Sequence, residues 1–114
     1  MKYANEVRLV GKLTKYKEGN LYKETYSPNG LARLEYKINI PYKKKGTEEW
    51  INSFFFLKAW GQAGEPIKSC QDGDLVESKG YFRKYTIQGK DGKTIYREEI
   101  IAVNITKVEA TVPA

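Results

Sequence analysis

Histidine is absent from this 114-residue chain. That removes the commonest general base, the usual partner of a nucleophilic triad and the commonest zinc ligand together. Only carboxylate, lysine or tyrosine chemistry remains open to a catalyst. Cysteine occurs once, at Cys70, so no intrachain disulfide can form, which fits a reducing cytosol. Cys70 falls in a short segment of helical character, where a buried, inert thiol is the expected role. Acidic residues are scattered rather than clustered for a metal. Asp72 and Asp74 flank Gly73, an order that signals a turn before it signals a magnesium site. No apolar run approaches a membrane span, and no signal or transit segment precedes the first strand. The expectation is a cytoplasmic protein that is not an enzyme, with no catalytic residues, no metal, no cofactor and no membrane.

What the chain has is positive charge and aromatic rings. Twenty Lys and Arg against fourteen Asp and Glu give a net charge of +6, and aromatics make up 13% of the residues. With 40% hydrophobic and 30% charged residues the composition is that of one globular domain able to bury a modest core. The basic balance favours nucleic acid or an anionic membrane surface as partner, and is equally compatible with a plain soluble surface.

β-branched and aromatic residues alternate with turn signals throughout. The first strand runs from Val7 to Leu13, and a shorter, more polar extended segment from Leu21 to Tyr26. Ser27-Pro28-Asn29-Gly30 reads as a type I turn. A second strand follows from Ala32 to Tyr42, with Leu34, Tyr36, Ile38 and Ile40 on one face and Arg33, Glu35, Lys37 and Asn39 on the other. Lys43 to Thr47 is a loop. A third strand reaches Trp60, and one or two helical turns start near Glu65-Pro66. A fourth strand runs from Leu75 to about Phe82. A projecting hairpin with its tip at Gly89-Lys90-Asp91-Gly92 leads into a fifth strand that ends near Ile105. Five strands with one short helix between the third and fourth predict an all-β, five-stranded OB-fold Greek-key barrel; an SH3-like barrel or a small sandwich is the alternative.

The third strand carries the chemistry. In Trp50-Ile51-Asn52-Ser53-Phe54-Phe55-Phe56-Leu57-Lys58-Ala59-Trp60 the side chains alternate between two faces. Ile51, Ser53, Phe55, Leu57 and Ala59 suit a core. Trp50, Asn52, Phe54, Phe56, Lys58 and Trp60 fall on the other side, and four large aromatics on an outward face are costly unless something covers them. In a basic chain the natural cover is a single-stranded nucleic acid, whose bases stack on rings while its phosphates meet cations. For Trp50 and Phe56, packing under a loop is an equal alternative.

Four stretches resemble the bacterial-type single-stranded DNA-binding proteins in order and at compatible spacing, over nearly the whole chain. They are Asn5 to Leu13, the Pro28-Asn29-Gly30 turn with the strand after it, the aromatic strand ending Trp60-Gly61-Gln62, and the G-x-x-V-x-x-x-G pattern from Gly73 to Gly80. The resemblance implies an OB-fold DNA-binding domain over residues 1–108, a short C-terminal extension over 109–114, and no catalysis. It implies stacking by Phe54 and Trp60, with Tyr42 nearest to the aromatic that the family places late in its second strand. The family's hairpin aromatic falls on Ile87 here, and Tyr85, on the same strand face, is the substitute.

The cations expected beside these rings are Lys58 for a phosphate, the loop Lys43, Lys44 and Lys45, and Arg83, Lys84 and Arg97 around the hairpin. The last three have an equally good reading as cross-strand partners of Glu98 or Glu99. The partners implied are single-stranded DNA and further copies of the chain, a tetramer before a dimer. The family's acidic C-terminal tip is not matched by Glu109-Ala110-Thr111-Val112-Pro113-Ala114, so recruitment of enzymes through such a tip is not expected. Localisation in the cytoplasm with the nucleoid, or in a host cytoplasm for a phage or plasmid protein, follows. Two other functions compete: an RNA-directed or primosome-type OB protein, and a protein-interaction module that buries the aromatic face against another chain.

Overall fold

The computed structural model describes residues 3–109. Eight strands form: β1 Val7–Thr14, β2 Tyr22–Tyr26, β3 Ala32–Asn39, β4 Tyr42–Lys43, β5 Trp50–Ile51, β6 Phe54–Trp60, β7 Leu75–Gln88 and β8 Thr94–Lys107. Between β6 and β7 lie a 3₁₀ turn, Gly61–Gly64, and one helical turn, α1 Glu65–Lys68.

Five of these strands close a ring in the order β1-β7-β8-β6-β3, with β3 returning to β1 through Lys12–Asn39, Leu13–Ile38 and Thr14–Lys37. All pairings are antiparallel except β6 with β8. β2 pairs with the first part of β3, from Ala32 to Tyr36, and β1 with its last part. A closed five-stranded ring with its helix between the third and fourth barrel strands is the OB-fold barrel that the element order predicted.

Alternation fills the interior. Leu13, Leu34, Tyr36, Ile38, Leu57, Ala59, Val76, Ala102 and Ile105 point inward, and Ile67 of α1 joins the same core with Cys70, which lies just past the end of that helix rather than in it. Each fully buried aliphatic side chain contributes about 1.5–3 kcal/mol relative to exposure. A polar pair inside is satisfied: the hydroxyls of Tyr36 and Ser78 share a hydrogen bond of 2.6 Å. Burial pushes the Tyr36 phenol well above its ordinary value, and the bond to Ser78 opposes this only in part.

The structure corrects the sequence reading in three places. The second strand stops at Asn39 rather than Tyr42, and the third is broken at Asn52 and Ser53 rather than continuous from Trp50. Pro41 has no N–H to give to a ladder. The side chain of Asn39 intervenes as well, accepting from the Ser53 N–H at 3.0 Å and donating to Asn52 Oδ1 at 3.0 Å. The residues beyond the break pair with each other, Tyr42 with Ile51 and Lys43 with Trp50, as a separate small ribbon.

The third correction concerns the fourth strand, which continues from Phe82 to Gln88 and pairs residue by residue with β8 out to Thr94. The ribbon turns where the sequence indicated: the Gly92 N–H donates to Gly89 O at 3.0 Å, with Gly92 at φ +80°. The expected turn at Ser27–Gly30 is also present, closed by the Gly30 N–H on Ser27 O at 2.9 Å.

Candidate nucleic-acid interface

β3 and β6 lie side by side with a register that decides the outer surface of the barrel. Arg33 is opposite Trp60, Glu35 opposite Lys58, Lys37 opposite Phe56 and Asn39 opposite Phe54. Because side chains alternate on both strands, these eight share the face turned away from the core. Phe54 and Phe56 remain 48% and 57% exposed, and Trp60 is partly exposed. Phe54 and Trp60, six residues apart, span about 20 Å at ~3.3 Å per residue.

Cations lie over these rings. The Lys37 ammonium is 4.8 Å from the Phe54 centroid and 6.0 Å from that of Phe56. The Arg33 guanidinium is 5.8 Å from the Trp60 centroid. Both are within the range of cation–π attraction. Tyr16 meets the edge of Phe56 at 6.0 Å and 79°. At the Trp60 end a groove opens between Thr25, Tyr26, Ser27, Pro28 and Arg33. Beyond the Phe54 end comes the small ribbon, with Trp50 66% exposed and Tyr42 exposed as well. Neither Trp50 nor Phe56 is packed under a loop.

The cations singled out in the sequence divide into two groups. Lys58 is not free: its ammonium sits 2.6 Å from Glu99 and 3.7 Å from Glu35. Arg83 binds the other oxygen of Glu99 at 2.7 Å and lies 4.8 Å from the Tyr85 ring centroid. Burial alone would raise the Glu99 carboxyl. Hydrogen bonds from Lys58 and Arg83 outweigh that and hold it below the ordinary glutamate value. Lys43 pairs with Glu48 at 2.7 Å. Among the described residues Lys37, Lys44, Lys45, Lys84 and Arg97 have no ion-pair partner. Arg97 stands opposite Tyr85, and Lys84 opposite Glu98.

Tyr85 joins this face: with Tyr16, Glu35, Phe56, Leu57, Lys58, Glu98 and Glu99 it lines a notch of about 170 Å³. The structure thus brings Phe54, Phe56, Lys58, Trp60, Tyr85 and Arg83 onto one surface. Tyr42, Lys43, Lys44, Lys45 and Trp50 lie on the small ribbon and its tip, and Lys84 and Arg97 on the long one. Arg33, Lys37 and Tyr16 were not singled out from the sequence. The outward alternation of β3 was a signal for the first two, but only the register with β6 shows that they cover the aromatic rings.

The curated proteins that this chain matches are single-stranded DNA-binding proteins. It is 29% identical over 109 residues to that of Oceanobacillus iheyensis, covering 92% of this chain and 63% of the other. It is 30% identical over 109 residues to single-stranded DNA-binding protein 3 of Listeria innocua, covering 93% and 64%. The chain therefore spans somewhat less than two thirds of the length of these relatives. In fold it is similar to the wild-type single-stranded DNA binding protein from Thermus aquaticus, with a TM-score of 0.72 and 20% identity over 95% of this chain and 52% of that one. No family model matches. In sequence and in fold alike, the chain resembles the bacterial single-stranded DNA-binding proteins.

Proposed function

We propose that this chain is a single-stranded DNA-binding protein of the bacterial type. It binds and protects unpaired strands in replication, recombination or repair, without catalysis and with little regard to base sequence. One observation carries the proposal: the β3–β6 face, on which Phe54 and Phe56 stay exposed and Trp60 partly exposed, with Lys37 over the two phenyl rings and Arg33 over Trp60. Stacking on a ring is worth about 1–3 kcal/mol per base and tolerates any base, because every base has a π-face. Lys37, Lys44, Lys45 and Arg97 supply positive charge that no carboxylate among the described residues takes up. The strand's path runs from the Tyr26–Trp60 groove across Phe56 and Phe54 to Trp50 and Tyr42, with the long ribbon bearing Tyr85, Lys84 and Arg97 at its side.

The same reading includes self-association, a tetramer before a dimer. It is supported by the resemblance and by β1, whose residues Val7 to Gly11 pair with β7 on one side only among the described residues. The site of action is the cytoplasm, with the nucleoid; among the described residues no helix is long and apolar enough to cross a membrane. Of the extension 109–114 only Glu109 lies within the described residues.

Titration with oligo-dT, followed by tryptophan fluorescence at several salt concentrations, tests the proposal on material of known oligomeric mass. Stacking on Trp60 quenches its emission. If four phosphates are neutralised, log K falls against log salt with a slope of about −3. An interface buried against another protein would leave the fluorescence unchanged, and an affinity indifferent to salt would contradict the phosphate contacts.

A further inference from the structure

The notch at the middle of the aromatic face has walls of two kinds. Tyr16, Phe56 and Tyr85 are its rings, and Glu35, Glu98 and Glu99 its carboxylates, with Lys58 as the one ammonium. Its volume of about 170 Å³ is below the roughly 300–1,000 Å³ of pockets for drug-sized ligands, a size suited to a single base. The polar wall is dominated by acceptors. Lys58 already donates to Glu99 at 2.6 Å, and Glu99, 8% exposed, is also bound by Arg83. Glu35 differs. Its side chain is only 15% exposed, yet its contacts are long: 3.7 Å to Lys58 and 3.4 Å from the Tyr16 hydroxyl. An ionised carboxylate has about four acceptor positions, so Glu35 keeps most of its capacity open beside Phe56. Among the described residues no group of carboxylates is arranged to hold a metal ion.

With Glu99 taken up by Lys58 and Arg83, the other two carboxylates, Glu35 and Glu98, repel a phosphate, so the part of a strand that enters this notch is a base. Its phosphates stay outside, near the unpaired cations. A base edge bearing an amino group meets acceptors there; an edge bearing a carbonyl meets like polarity. Glutamate accepting from the cytosine N4 amino group is an established pairing of this kind. We propose that the Tyr16–Phe56–Tyr85 notch seats one base, and that Glu35 selects there for an exocyclic amino group, favouring cytosine over a pyrimidine with a carbonyl at the same position. The inference rests on the binding of single strands proposed above and adds a point of selectivity to an otherwise tolerant track.

Oligo-dC and oligo-dU of equal length differ in the position-4 group and the N3 proton, so their comparison reads the base edge, and N4,N4-dimethylcytosine then isolates the amino group. Both are titrated at mildly alkaline pH, where cytosine is unprotonated, against the wild-type chain and Glu35→Gln. The wild type is expected to bind oligo-dC more tightly by roughly tenfold, the scale of one hydrogen bond to a charged group. The isosteric Glu35→Gln, whose amide can also donate to a carbonyl, is expected to bring the ratio close to one at an unchanged melting temperature. An oligonucleotide of N4,N4-dimethylcytosine, measured with the wild type alone, is expected to lose the advantage of oligo-dC, which keeps the test open should the variant fold poorly. Equal affinity of the wild type for oligo-dC and oligo-dU, or a ratio that survives in Glu35→Gln, would overturn the selectivity and leave the general binding intact. Failure to bind either strand would overturn both.

Discussion

At the scale of single residues, the side chains on the aromatic face have separable roles. Trp60 offers a ring with Arg33 beside it, and Trp60→Ala is expected to weaken strand binding by about 1–3 kcal/mol with the melting temperature little changed. An affinity equal to wild type in the same titration would remove Trp60 from the path. Lys37 has a different signature. Its ammonium lies over Phe54 and Phe56 and has no carboxylate partner among the described residues. Lys37→Met keeps the stem and removes the charge, so the slope of log K against log salt should become shallower by about 0.7, the contribution of one phosphate contact on a single strand. Lys58→Met should change that slope far less, because Glu99 and Glu35 already take up its charge.

At the scale of elements, the barrel depends on close backbone approach at one corner. The register of β7 against β8 shifts between Lys79 and Gly80. A Cβ added at Gly80 would fall 1.7 Å from the carbonyl oxygen of Ile101 and 2.7 Å from its carbon. These are backbone atoms that no rotamer can move. Gly80→Ala is therefore expected to destabilise the fold by at least the roughly 1–3 kcal/mol typical of overpacking, seen as a lower urea midpoint. Gly30 makes a useful contrast. It sits at φ +84° with nothing near its added Cβ, so Gly30→Ala costs only the left-handed conformation, about 1–2 kcal/mol. A variant at Gly80 that melts like wild type would mean that the corner can relax.

Across the whole molecule, pH acts on stability from both ends. The Glu99 carboxyl, held low by Lys58 and Arg83 despite its burial, and that of Asp74, held low first by the Gln71 N–H and then by Lys107, both titrate below their ordinary values. A depressed carboxylate contributes stability above its unfolded pKa, and that stability disappears as pH falls through the folded value. The melting temperature should therefore decline below about pH 4. Tyr36 works in the opposite sense. Its phenol is raised by burial, so its contribution is complete below about pH 10 and is lost as pH climbs beyond. Thermal melts across pH should show a plateau between these limits. In Tyr36→Phe the alkaline shoulder should weaken, and its persistence unchanged would place the alkaline loss on other groups.

The amino-acid sequence by itself determined the number of barrel strands, the place of the helix, both glycine turns and the inward set Leu34, Tyr36, Ile38, Leu57 and Ala59. These follow from local alternation and turn chemistry, which act over a few residues. It also placed Phe54, Phe56 and Trp60 on the outer face, because period-two alternation needs no partner strand. Only the tertiary structure decided which charges meet which rings. Lys37 covers Phe54 and Lys58 turns to Glu99, 41 residues away in sequence, because strand register and barrel closure join segments whose spacing carries no such signal. The break at Asn52 and Ser53 was hidden for the same reason: it comes from the Asn39 side chain on a neighbouring strand, a contact that exists only once the barrel is closed.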